Sequence, residues 1–161
     1  MKNIAIFPGS FSPFTLGHKS IVDKSIILFD KIIIAIGQNS NKNEYFSFKK
    51  RVEYIQSVYR DHPKIEIKKY EGLTIDFCKK ENAKYIIRGL RNSQDFIFEK
   101  DLANMNYNIE NSIETVFLMT PPYLSHISSS LVREIIKNNG DIQNFVPKEI
   151  NQLFLSKKKR T

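Results

Sequence analysis

The residues best suited to chemistry in this chain gather in three short stretches. The first is Pro8-Gly9-Ser10-Phe11-Ser12-Pro13-Phe14-Thr15-Leu16-Gly17-His18. Gly9 and Ser10 let a backbone approach a ligand closely. Gly17 and His18 stand where an amphipathic segment starts, and the free N–H groups and positive dipole end of a helix favour phosphate there. His18 can donate a hydrogen bond to a phosphate oxygen, and adds charge when protonated. The competing use of His18 is to cap or pack the helix end. The glycine before it, the strand before the loop and a second anion-suited stretch favour phosphate. Phe11 and Phe14 read as packing residues.

The second stretch is Arg88-Gly89-Leu90-Arg91. Arg88 ends an apolar run, where a charge is costly unless paired. Its guanidinium offers phosphate a fork of donors; a salt bridge to Asp95 or Glu99 is the other use for it. The third stretch is Ser128-Ser129-Ser130, whose hydroxyls and helix-start amides suit an anion or simple capping. Arg133 and Glu134 fall in the first turns after it. Lys42 lies in a polar stretch and could follow charge as it builds on a reacting phosphate; on the residues alone, a solvated loop lysine is the plainer reading. His62 reads as a polar-turn residue, His126 stays open, and Tyr123 could lie against a base.

Several familiar arrangements are missing. The sequence has no Gly-x-x-x-x-Gly-Lys-Ser/Thr loop, no Gly-x-Gly-x-x-Gly turn and no Cys/His metal spacing. No Ser or Cys lies on a nucleophile elbow. Phosphate chemistry here therefore points to direct displacement between two bound substrates.

The elements that must hold these stretches can be read from apolar patterning. Residues 4–7 and 32–36 are short apolar runs, as in strands covered on both faces. Residues 65–68 alternate, as in a strand nearer an edge. Residues 85–87 and 115–119 complete five strands. Helical spacing predicts helices from about Gly17 to Phe29, after Ser47 as N-cap, after Gly72, over a face of Phe98, Leu102 and Met105, from Leu131 to Lys137, and after Pro147. This alternation predicts an α/β, Rossmann-like, doubly wound parallel sheet of order 3-2-1-4-5 with helices on both faces. Strands one and four are then neighbours at the point where the winding reverses. The 8–18 and 88–91 stretches, far apart in sequence, meet there.

Composition narrows the class. The 161 residues fit one domain spanning 1–161. A single cysteine excludes an internal disulfide framework. No apolar run approaches the roughly 18 residues of a membrane span, and the N-terminus lacks a signal-peptide pattern; a cytoplasmic protein is expected. The net charge of +8 comes from 25 basic and 17 acidic residues. It suits nucleic acid, an anionic surface or small phosphorylated ligands. No aromatic-basic interleaving supports nucleic acid, and Lys157-Lys158-Lys159-Arg160 reads as a solvated tail.

Thr15-Leu16-Gly17-His18 resembles the (H/T)xGH signature of the small adenylyl- and cytidylyltransferases, and Ile127-Ser128-Ser129-Ser130-Leu131-Val132-Arg133-Glu134 resembles their second signature. The block Ile87-Arg88-Gly89-Leu90-Arg91, with Asp95-Phe96, Glu99, Leu102-Ala103 and Met105-Asn106, is similar to the phosphopantetheine adenylyltransferases among them. The resemblance runs over nearly the whole chain. It implies transfer of the adenylyl group of ATP to 4′-phosphopantetheine, giving dephospho-coenzyme A and pyrophosphate. It implies catalytic roles for Ser10, His18, Lys42 and Arg91, with His18 stabilising the transition state. It implies ATP contacts from Ser10, Phe11, His18, Gly89, Leu90, Arg91, Glu99, Leu124, Ser125, His126, Ile127, Ser128, Ser129 and Ser130. Ser10, Lys42, Thr74 and Arg88 would serve the second substrate. Mg2+ would arrive with ATP, and the enzyme would be a cytoplasmic homohexamer, with no nucleic-acid or membrane partner.

This sequence departs from that pattern at Ser12, usually Asp; at Ser10, usually Thr; at Leu124, usually aromatic; and at His126. None removes a phosphate-contacting charge, so activity is expected. The rivals are a sibling transferase acting on nicotinamide mononucleotide or glycerol 3-phosphate, a basic nucleic-acid-binding module, and an inactive regulatory homologue. The Arg88–Arg91 block and Thr15 favour pantetheine.

Overall fold

A computed structural model describes residues 2–38 and 44–158. Lys42 lies outside the described residues, as do Lys159 and Arg160 of the basic tail. The strands are β1 (Ile4–Gly9), β2 (Lys31–Gly37), β3 (Ile65–Tyr70), β4 (Tyr85–Leu90) and β5 (Glu114–Met119). They form one parallel sheet of order β3-β2-β1-β4-β5. The helices are α1 (Leu16–Leu28), α2 (Phe48–Val58), α3 (Thr74–Lys80), α4 (Ser93–Ile109), α5 (Ser129–Lys137) and α6 (Lys148–Lys158), with a 3₁₀ turn at Pro122–Leu124. Among the described residues, no helix is long and apolar enough to cross a membrane.

The order follows from which strands need cover. Ile32, Ile33, Ile34, Ala35 and Ile36 are all fully buried, as are Ala5 and Ile6. Successive strand residues face opposite sides. Ile32, Ile34 and Ile36 pack with Ile21 and Val22 of α1, Tyr54 and Ile55 of α2, Val132 of α5 and Ile150 of α6. Ile33 and Ala35 pack with Ile75, Phe77 and Cys78 of α3 on the other face. β3, the alternating strand, lies at the edge, as expected.

Three details sharpen the expected elements. β1 continues through Pro8 to Gly9 against β2, while its ladder to β4 ends at Ile6↔Ile86. The crevice between β1 and β4 opens there. α5 starts at Ser129, because Ser128 itself caps it by accepting from the Leu131 N–H at 3.2 Å. The apolar residues of α4 find little cover in this chain: Phe98 and Met105 are 68% and 63% exposed, and Glu99 is the buried residue of that helix. Helical spacing shows that a face exists; it carries no information on what covers it.

Gly89 sets how closely α1 lies on β4. A Cβ there would stand 2.9 Å from Cγ1 of Ile21. Gly89→Ala should therefore cost about 1–3 kcal/mol through overpacking, read as a lower urea midpoint. Ile21→Ala, which removes the Cγ1 and Cδ1 atoms that meet the added methyl, should cost less in the Gly89→Ala chain than in the wild type.

Candidate active site

His18 is built into the start of α1. Thr15 is the N-cap, and its Oγ1 accepts from the His18 N–H at 3.4 Å. In return, His18 Nδ1 accepts from the Thr15 N–H at 2.9 Å. This is a capping box with imidazole in the place of the usual Glu or Gln side chain. A backbone N–H can only donate, so the ring proton sits on Nε2. The ring is wedged among Phe11, edge-on at 5.1 Å, and Phe14 at 5.4 Å between centroids. Phe11 and Phe14 are packing residues, as expected, and what they pack is the imidazole. Burial, then the Arg91 and Arg88 charges, lower the His18 pKa from 6.5 to about 4. At neutral pH the ring of the free chain is therefore an uncharged Nε2–H donor, and the charge it would add when protonated enters only in acid.

The 8–18 loop is tied down from two sides. Arg51 of α2 donates from Nη1 to the Ser10 carbonyl at 2.7 Å and to the Gly37 carbonyl at 3.2 Å. Ser12 is 1% exposed; its Oγ accepts from the Phe46 N–H at 3.3 Å. A short hydroxyl suffices for that contact, which is what the departure at position 12 leaves inside the loop. Arg133 Nη1 donates to the Ser12 carbonyl at 2.7 Å and its Nη2 to Ser130 Oγ at 3.0 Å. Ser129 Oγ donates to the Pro13 carbonyl at 2.8 Å. The third stretch is thus stitched onto the first, with each serine hydroxyl engaged differently: Ser128 caps, Ser129 holds the loop and Ser130 receives Arg133.

Both arginines of the second stretch sit on carboxylates. Arg88 donates from Nε to Glu99 Oε2 at 2.6 Å and from Nη2 to Glu99 Oε1, while Nη1 reaches the Pro8 carbonyl at 3.3 Å across the opened crevice. Arg91 Nε and Nη2 donate to Asp95 at 2.9 and 3.0 Å. The hydrogen bonds with Arg91 lower the Asp95 pKa, and Asp95 raises that of Arg91. The salt bridges weighed against phosphate binding are therefore present. Both guanidinium charges nonetheless still act on His18.

Two cavities meet in this region. One, of about 390 Å³, is lined by Ser10, Phe11, His18, Gly89, Arg91, Glu99 and residues 127–130. The other, of about 570 Å³, is lined by Gly37, Gln38, Glu44, Tyr70, Glu71 and Gly72. Pro8, Gly9, Ser10 and Arg88 line both. Thr74 is off both linings; its Oγ1 stands 3.4 Å from the hydroxyl of Tyr70, which lines the larger cavity. Leu90 is buried, and Leu124, Ser125 and His126 lie at or just after the 3₁₀ turn, off both linings. Sequence reasoning missed Arg51, although a signal was available. Arg51 falls on the same helical stripe as Phe48, Val52 and Ile55, where a charge has no bland reason to be.

Comparison with known proteins places the chain in a family. Residues 6–135 match the cytidylyltransferase-like family. The chain is 47% identical over 150 residues to the phosphopantetheine adenylyltransferase of Cytophaga hutchinsonii, covering 93% of this chain and 100% of that one. It is 51% identical over 146 residues to that of Flavobacterium psychrophilum, covering 91% and 96%. Among solved structures, the nicotinic acid mononucleotide adenylyltransferase of Plasmodium falciparum superposes with a TM-score of 0.69 at 22% identity, over 98% of this chain and 96% of that one, which supports the fold. The chain belongs to the phosphopantetheine adenylyltransferases, within the cytidylyltransferase-like family.

Proposed function

We propose that this chain transfers the adenylyl group of ATP to 4′-phosphopantetheine, giving dephospho-coenzyme A and pyrophosphate in coenzyme A biosynthesis. The observation that carries the reading is the pair of cavities sharing Ser10 and Arg88, in a chain of this family. ATP takes the cavity with His18 and Arg91, with Phe11, Gly89, Leu90, Glu99 and residues 124–130 around it. 4′-Phosphopantetheine takes the larger one, with Ser10, Arg88 and Thr74, and with Lys42 from outside the described residues.

The acceptor phosphate attacks the α-phosphorus in line, and pyrophosphate leaves. His18 is the transition-state stabiliser. With Nδ1 accepting from Thr15 and the proton on Nε2, its ring has no free lone pair for a base and one N–H to give to a phosphate oxygen. Cys78 supports no covalent route: it is buried in α3, and burial pushes its thiol up to about 12. What remains is orientation and charge stabilisation, which suit transfer at phosphorus.

Mg2+ would enter bound to ATP rather than to side chains of this chain, and would supply charge neutralisation on the polyphosphate. Among the described residues, no three His, Cys, Asp or Glu side chains cluster as metal ligands, and Glu99 and Asp95 are committed to arginines. The 161 residues act as one nucleotidyltransferase domain in the cytoplasm, without a nucleic-acid or membrane partner. The assembly is a homohexamer; the exposed Ile97, Phe98 and Met105 of α4 support a further partner surface.

Pyrophosphate release is measured with ATP and one acceptor at a time. 4′-Phosphopantetheine should support turnover, and nicotinamide mononucleotide and glycerol 3-phosphate should not. Turnover with nicotinamide mononucleotide alone would overturn the substrate assignment.

A further inference from the structure

Arg51 is a buried cation that the reaction as described does not use. It is 1% exposed and lies among apolar residues of α2. Its Nη1 serves two backbone carbonyls, and its Nε is buried without a hydrogen-bond partner. Among the described residues, no carboxylate forms an ion pair with it; Glu44, on the wall of the larger cavity, is the charge whose field acts on it. Such a site is an expensive way to fill a core, since an apolar side chain of similar volume would serve stability as well or better.

What Arg51 holds explains why a guanidinium stands there. The β1–β2 ladder ends at the pair Gly9↔Ile36. One step further along, Ser10 and Gly37 would come next in register. Arg51 binds both of their carbonyls with one nitrogen. It therefore extends the strand pairing by a side chain, at the step where the backbone ladder stops. Ser10 lines both cavities, whereas Gly37 lines only the larger one. The arginine thus fixes how far apart the two strand ends stand at the mouth of one cavity, and the backbone from which the Ser10 hydroxyl projects.

We propose that Arg51 is a positioning residue for the acceptor substrate. It holds the Ser10 and Gly37 backbone so that the phosphate in the larger cavity lies in line with the ATP α-phosphorus. This rests on the assignment of that cavity to 4′-phosphopantetheine. A small displacement of one reactant is enough to cost about two orders of magnitude in rate, so loss of the bridge acts on the acceptor first.

Arg51→Met and Arg51→Lys test it, each against the unaltered chain, by steady-state kinetics, thermal unfolding and amide hydrogen exchange. Arg51→Met should unfold near the wild-type temperature, because a buried charge gives way to an apolar chain of similar length. Its KM for 4′-phosphopantetheine should rise about tenfold or more and kcat should fall, while KM for ATP stays within about twofold. Exchange should quicken at residues 10–11 and 37–38 and nowhere else. Arg51→Lys keeps a donor that reaches a carbonyl and should recover part of the acceptor KM. Wild-type KM for the acceptor in Arg51→Met, or equal rises in both KM values that track lost thermal stability, would overturn the proposal. Should Arg51→Met not fold, an acceptor KM in Arg51→Lys equal to wild type would overturn it as well. A wild-type chain silent with 4′-phosphopantetheine would instead overturn the substrate assignment, and the exchange pattern would still decide whether Arg51 holds the two strand ends.

Discussion

His18→Ala lowers turnover at saturating substrates by about 10²–10³-fold, the usual loss when one preorganised donor to a developing oxyanion is removed. Both KM values should move much less, because the contact is made chiefly in the transition state. The fold should survive. The substitution removes one bond of the capping box, the one to the Thr15 N–H, while Thr15 Oγ1 still accepts from the residue 18 N–H; such a loss costs about 1 kcal/mol. Acid titration gives an independent reading. Burial and the Arg91 and Arg88 charges lower the ring's pKa from its ordinary 6.5 to about 4 in the fold, so the unfolded chain takes up a proton that the folded chain refuses. The stability this residue confers is full above about pH 6.5 and is lost as pH falls toward about 4. The gap in unfolding free energy between wild type and His18→Ala should therefore narrow over that window. The free enzyme's kcat/KM should show no limb from His18 between neutrality and about pH 5. Initial rates that match wild type would remove His18 from the mechanism.

The sheet was legible because its central strands are apolar from end to end. Residues 32–36 and 4–7 have no polar face to give to water, so they had to lie in the middle, and the alternating 65–68 strand had to lie outside them. The meeting of the 8–18 and 88–91 stretches followed from that order alone. The pairing of Arg88 and Arg91 with Glu99 and Asp95 was open, because spacing cannot say whether a guanidinium waits on a carboxylate or on a ligand. The neutral state of His18 was not legible at all: it depends on a backbone N–H three residues earlier and on two arginines that only folding brings near. The cover of α4 was not legible for a different reason. Phe98 and Met105 make a helical face, and periodicity is equally satisfied by a core and by another molecule. Arg51 was missed because the stripe around it was read for its apolar members. A charge at such a position is a stronger signal than the residues that agree with the pattern, since burial without a partner is costly and asks for a cause.

Arg88→Ala should have the second large effect, and it separates binding from stability. Arg88 holds Glu99 through two donors and the Pro8 carbonyl through a third. Its side chain is 24% exposed and that of Glu99 11%. Removing the arginine leaves a largely buried carboxylate unpaired, which at this partial exposure costs about 2–3 kcal/mol. It also takes a fork of donors from the wall shared by the two cavities, where the acceptor phosphate binds. A charge-assisted pair of hydrogen bonds to phosphate is worth enough that kcat/KM for 4′-phosphopantetheine should fall about 10²–10³-fold. Adding Glu99→Gln removes the orphaned charge, so the double variant should regain most of the lost stability, read as the urea midpoint. It should regain none of the lost kcat/KM, because no cation has been restored. Arg88→Lys keeps the charge without the planar fork, and should fall between the two in rate. Recovery of activity in parallel with stability in Arg88→Ala/Glu99→Gln would leave the ion pair a structural role alone. Failure to recover either would mean that the Pro8 contact, which holds β1 to β4 beyond the end of their ladder, matters more to the fold than the burial of Glu99.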